Sequence, residues 1–255
     1  MQGDLLQQVQ TGSTVPDSFS SEFNVPDDAG ILLRATNGRI KVVSSSSGRL
    51  EVTVRVAGHV SVAGTKRLTT TLRPSDPYMV LETEYEDTGI RASADYVLGL
   101  PAKSGVSLTV ELLNGSVSVE SVPCDLDVSI HNGDLKARDV SGGLHARLIN
   151  GSLSVHGTPT VSFIRTGGAV DLDIGALPTG GSSVTALAGD VDVRLPNSLE
   201  LHLEASSGEG DVGVTGLKPE NVLSVGASFS GDLAGGGPRL ALRAVGGSVR
   251  VSERS

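Results

Sequence analysis

One short phrase recurs along this chain and dictates what it can fold into. Its clearest copies read Asn-Gly-Ser-Val-Ser-Val at 114–119, Asn-Gly-Asp-Leu-Lys-Ala at 132–137 and Asn-Gly-Ser-Leu-Ser-Val at 150–155. The pivot glycines are Gly38, Gly115, Gly133, Gly151, Gly168, Gly189, Gly210, Gly231 and Gly247, and from Gly115 onward they step by 18, 18, 17, 21, 21, 21 and 16 residues. Two residues past each pivot from Gly115 onward stands Val or Leu without exception: Val117, Leu135, Leu153, Val170, Val191, Val212, Leu233 and Val249. A fixed period near 20 residues marks a repeat architecture in which each turn of chain buries its apolar face only by stacking on its neighbours.

Alternation at period two identifies the stacked segments as strands. Val119, Ala137, Val155, Leu172, Val193, Val214 and Val251 fill the column four past the pivots, and only Gly235 breaks it. Asn-Gly tolerates positive φ and can turn the chain sharply. Because the apolar columns keep their sense from copy to copy, the spacing predicts stacked parallel turns in place of a series of hairpins. The expected fold is all-β: a single-stranded β-helix, or β-solenoid, of about nine rungs with 17–21-residue repeats. At ~4.8 Å per rung such a stack is about 40 Å long.

A flexible tail is expected over residues 1–22, followed by one elongated domain over 23–255. Within that domain, irregular capping strands occupy 23–95 and regular rungs 96–255. Aromatic residues make up 3% of the chain, Trp is absent and glycines number 33, so small aliphatic side chains must form the core.

The net charge of −9, from 29 acidic and 20 basic residues, argues against nucleic acid, whose phosphates need clustered Lys and Arg. It argues equally against an anionic membrane surface. Cys124 stands alone, so no intramolecular disulfide can form. No apolar run approaches the ~18 residues of a membrane span. These features predict a soluble, cytoplasmic protein without direct membrane insertion, or an extracytoplasmic one if a signal or anchor has been removed.

The outward positions carry the candidate chemistry. Asp171, Asp173, Asp190, Asp192, Asp211 and Asp232 recur beside the pivots, and a carboxylate column could hold Ca²⁺, which takes six to eight oxygens. Solubility and protection of sheet edges are the simpler reading of such acids. Arg138, Arg147 and Arg165 could share a face, with pairing to Asp139 or neighbouring acids as their ordinary role. His59, His131, His145, His156 and His202 show no zinc spacing. No phosphate-cradling loop or nucleophile elbow is present, so neither a cofactor nor a catalytic residue is expected.

Asp95-Tyr-Val-Leu-Gly-Leu-Pro101, the Leu-Asn-Gly-Ser-Val-Ser-Val ending at 119 and the Gly-Asp-Val-x-Val copies resemble the bacterial toastrack, or putative-adhesin, family, a domain of unknown function. Phe23-Asn-Val-Pro and the stretch from Ile31 to Val42 resemble that family's opening strands, and the resemblance covers roughly 23–252. It implies a β-helix-like domain without established catalysis, in settings such as envelope stress or adhesion. The expected function is therefore a non-catalytic binding or assembly scaffold with a protein partner or a second copy of itself. The alternative is a carbohydrate-active or calcium-dependent β-helix enzyme, which requires acids from several rungs to converge with an arginine.

Overall fold

The structure, a computed structural model, describes residues 7–10, 18–58, 68–75, 78–85, 92–101, 105–157 and 159–254. Among these every regular element is a strand, and no helix is long and apolar enough to cross a membrane. The chain divides into two compact units, residues 1–130 and 131–255. One domain over residues 23–255, with a change of character near residue 95, is what the sequence predicts.

In the first unit the strands are β1 (Gln7–Gln10), β2 (Ser18–Phe23), β3 (Gly30–Ser45), β4 (Leu50–Gly58), β5 (Leu68–Ser75), β6 (Tyr78–Tyr85), β7 (Ala92–Pro101) and β8 (Ser107–Glu120). The long β3 pairs parallel to β8 from Gly30 to Val43 on one side. On its other side it meets β6 with its first half and β7 with its second. Antiparallel strands then extend each arm, β5 and β1 beyond β6, β4 and β2 beyond β7. The tail expected over 1–22 thus contributes two strands, and its remaining residues, 1–6 and 11–17, lie outside the described ones.

The pivots Gly38 and Gly115 sit inside β3 and β8, at matched positions of the ladder. Asn114 donates its side-chain amide to Asn37 at 2.9 Å, so the Asn-Gly pairs stack as a ladder. Gly115 has φ +145, and a Cβ there would run into the Gly38 carbonyl. The glycine is required both for the bend and for the close approach of the next strand.

β9 (Asp125–Asn132) carries the chain across the division. The second unit then holds β10 (Leu135–Val140), β11 (Gly143–Asn150), β12 (Leu153–Gly157), β13 (Thr160–Thr166), β14 (Val170–Asp173), β15 (Ser182–Ala186) and β16 (Val191–Leu195). It continues with β17 (Leu201–Ser207), β18 (Val212–Thr215), β19 (Glu220–Val225), β20 (Ser228–Leu233), β21 (Arg239–Ala244) and β22 (Val249–Glu253). Successive strands alternate between two parallel ladders. Ladder A runs β10–β12–β14–β16–β22–β18, and ladder B runs β11–β13–β15–β21–β17. Buried residues alternate along most of these strands, β18 and β19 excepted, with Leu135, Leu153, Val170, Val191 and Val249 forming one core column of ladder A. Two buried hydroxyls in ladder B are satisfied by carbonyls of the layer before, Thr166 by Gly151 and Ser182 by Val161.

The layers do not stack in sequence order, which corrects the simple coil the spacing predicts. β21 and β22, last in the chain, lie between the layer of β15 and β16 and that of β17 and β18. The corner glycines follow the same order. A Cβ on Gly247 would lie 2.5 Å from the Gly189 carbonyl oxygen, and one on Gly210 would lie 2.8 Å from the Gly247 backbone. Gly231 is no corner at all: it lies within β20, opposite Leu203 of β17, in an antiparallel pairing. β19 and β20 form an antiparallel hairpin that extends ladder B beyond β17, so a count of nine sequential rungs does not describe this chain.

Candidate interaction surfaces

The outer face of ladder A collects four of the six aspartates read from the sequence. Asp171 and Asp192 are register partners and lead on to Arg250, while Asp173 pairs with Arg194 and then Ser252. Arg194 binds Asp171 at 2.7 Å and also Asp173. Arg250 binds Asp190 at 2.8 Å and Asp192 at 3.1 Å. Arg194 also donates to His156 Nδ1 at 3.0 Å. Arginine only donates, so that nitrogen accepts and the His156 proton sits on Nε2, which faces Ser154 at 3.2 Å.

Asp190 has a second role, accepting the backbone N–H of Ser248 at 2.8 Å. That bond, and then Arg250, holds its carboxyl below the usual carboxylate range. Asp134 accepts the Ser152 N–H at 2.8 Å in the same way. The acid directly after a pivot glycine therefore caps the corner of the neighbouring layer. Asp211 stands at the exposed end of ladder A, where its carbonyl accepts from Val249 at 2.9 Å. Asp232 lies in ladder B instead, held by His202 at 2.6 Å and Asn221 at 2.8 Å. The convergence of acids with an arginine that an enzyme reading requires is thus present at Arg194, but as exchanged ion pairs. Among the described residues no group of three or more His, Cys, Asp or Glu is arranged to hold a metal.

The outer face of ladder B differs in kind. Arg147, Arg165, Thr185, Arg243 and Ser206 align across five strands. Beside them run His145, Phe163, Ser183, Ala241 and Glu204. The His145 and Phe163 rings stack at 5.0 Å with 25° between planes. Along the other flank the hydrogen bonds leaving Leu187 and Val245 continue the register, and Ile149, Leu187 and Val245 are 51%, 41% and 37% exposed. Arg147 and Arg165 do share a face, as the sequence suggests, but no carboxylate pairs with either among the described residues. Arg138 lies apart, opposite His156 in ladder A. Glu204 is the one acid in these two columns, and Arg239 binds it.

At the hairpin end of ladder B a groove of about 620 Å³ is lined by Leu223, Val225 and Phe229 of the hairpin and by Thr185, Ser206, Arg239 and Arg243 of the ladder. Every residue of β19 is exposed. Among the described residues β20 is its only ladder partner.

His59 lies outside the described residues. Cys124 is buried, and that burial, reinforced by Asp125, pushes its thiol up to about 12.

No family model and no curated protein matches the sequence. Among solved structures, the chain is similar to a "putative cell adhesion protein" of Clostridium sporogenes at 11% identity and a TM-score of 0.42, over 94% of this chain and 100% of that one. A "putative adhesin" of Bacteroides fragilis shares 11% identity with a TM-score of 0.39, over 93% and 97%. Another from Parabacteroides distasonis shares 10% with a TM-score of 0.35, also over 93% and 97%.

Proposed function

We propose that this chain is a non-catalytic β-solenoid that serves as a binding and assembly scaffold, and that it associates with a second copy of itself through β19. Adhesion or cell-envelope stress signalling, the settings implied by the family resemblance, are where such a scaffold would act. The observation that carries the reading is the unprotected edge: Val222, Leu223 and Val225 are 51%, 64% and 68% exposed on the outermost strand of ladder B. Natural sheets guard edges with Lys, Pro or a covering loop, and residues 221–225 carry no charge and no proline.

A two-fold pairing of antiparallel strands places one residue opposite its own copy. Centred on Leu223, it pairs Asn221 with Val225 and Val222 with Ser224, and sets Glu220 opposite Gly226, so no like charges meet. Covering three half-exposed aliphatic side chains contributes about 3–5 kcal/mol. About five ladder hydrogen bonds add roughly 1 kcal/mol each. Against an association cost of about 4–15 kcal/mol the pairing is weak and concentration-dependent.

Single cysteines at 221, 222, 223 and 224, under mild oxidation, test the reading. Facing Cβ atoms about 4.5–5.5 Å apart allow Leu223→Cys to form a disulfide-linked pair well ahead of the others. Equal, collision-limited cross-linking at all four positions would refute it.

A further inference from the structure

The arginine column of ladder B has no structural purpose that the fold explains. Arg147 and Arg165 stand on adjacent parallel strands, about 4.8 Å apart, where like charges repel. Arg243 follows after the interval occupied by Thr185. In a chain of net charge −9, three exposed guanidinium groups without a carboxylate partner among the described residues form a local field of the opposite sign. Their surroundings are also specific. The Phe163–His145 ring pair flanks the column on one side and the aliphatic column Ile149, Leu187 and Val245 on the other. Thr185 and Ser206 place hydroxyls within the column itself.

We propose that this face binds a chain of anionic polysaccharide lying across the strands. Arginine forks hold its carboxylate or sulfate groups, Thr185 and Ser206 meet its hydroxyls, and Phe163 with the aliphatic column covers the apolar faces of its sugar rings. The ring pair, hydroxyls and alkyl column together favour a sugar polymer over other polyanions. A peptide gains its main-chain hydrogen bonds at a sheet edge, and the backbone of these strands is already paired on both sides from β13 to β17. Nucleic acid meets only three clustered cations on an otherwise acidic molecule. This inference is independent of pairing through β19.

The test is calorimetric titration of the full chain with oligogalacturonate, and with its methyl ester as an uncharged counterpart of the same backbone. Dextran sulfate distinguishes sulfate from carboxylate as the recognised group. The titration is run at a chain concentration where light scattering gives the mass of one chain, so that avidity from assembly is separated from intrinsic affinity. Binding to at least one acidic polymer and none to the ester is expected. Arg165→Gln should weaken it about tenfold or more, and the Arg147→Gln, Arg165→Gln, Arg243→Gln triple variant should abolish it. Phe163→Ala should weaken it without changing the salt dependence. Thr185→Asp, which sets an acid inside the column, should abolish it with folding unchanged by circular dichroism. Equal binding of the ester, undiminished binding by the triple variant, or equal binding of poly-glutamate or an oligonucleotide would overturn the proposal.

Discussion

If β21 lies between β15 and β17, Ser183 is one strand from Ala241 and two strands from Glu204. The interstrand spacing converts this order into a yes-or-no measurement. Adjacent strands put the 183 and 241 backbones about 4.8 Å apart, whereas positions 183 and 204 stand about 9.6 Å apart. Disulfides need Cα atoms about 4.4–6.8 Å apart. Ser183→Cys with Ala241→Cys should therefore oxidise fully, and Ser183→Cys with Glu204→Cys should stay reduced. Ser183 and Ala241 are small and partly exposed, so neither replacement disturbs the core. The bond closes a loop of about 58 residues, for which the chain-entropy relation gives about 4 kcal/mol of stabilisation. Urea unfolding of the oxidised and reduced forms measures that gain, and free-thiol counting by mass spectrometry measures the bond itself. A bond at 183–204 with none at 183–241 would refute the inserted layer and restore a coil in sequence order.

Three further outcomes follow from the geometry. Gly151→Ala combines φ +147 with a Cβ driven onto the Gly133 carbonyl; strain of about 1–3 kcal/mol and overpacking of about 1–3 kcal/mol should cost roughly 2–6 kcal/mol in urea unfolding, while Gly180→Ala, facing open space, should cost almost nothing. Asp190, Glu204 and Asp232 are held below their usual range by Ser248 N–H, Arg239 and Asn221 respectively. Their contribution is complete above the unfolded carboxylate value near pH 4 and is lost as pH falls through the lower folded values, so hydrogen exchange in 219–233 should rise on acidification below about pH 4. Cys124, with its thiol raised to about 12, should resist iodoacetamide at pH 8 until the chain is unfolded.

The sequence reveals which residues face inward and hides which layers are neighbours, and the reason is physical. Val191, Val212 and Val249 are the same residue at the same repeat position, so burial alone cannot distinguish a stack of 191, 212, 249 from the observed 191, 249, 212. The distinguishing signal lies in the charges. Asp190 and Asp192 need a cation beside them, and Arg250 supplies it where Gly213 could not. Gly231 imitates a pivot because the Asp232-Leu233 that follows it repeats the phrase, although β20 runs antiparallel to β17. Arg147 and Arg165 are legible as a pair from their 18-residue spacing, whereas Arg243 joins them only through the inserted strand, 58 residues beyond Thr185. Nothing in the local pattern of Asn221-Val-Leu-Ser-Val225 separates an exposed edge from an interior strand, because the side chains are those of either.

Assembly through β19 is tested most directly by light scattering of the unmodified chain over a concentration series, beside Leu223→Lys. A particle mass that rises toward twice that of one chain, and stays at one chain in the lysine variant, is the predicted result. A mass of one chain at every concentration, or equal association by the variant, would contradict it.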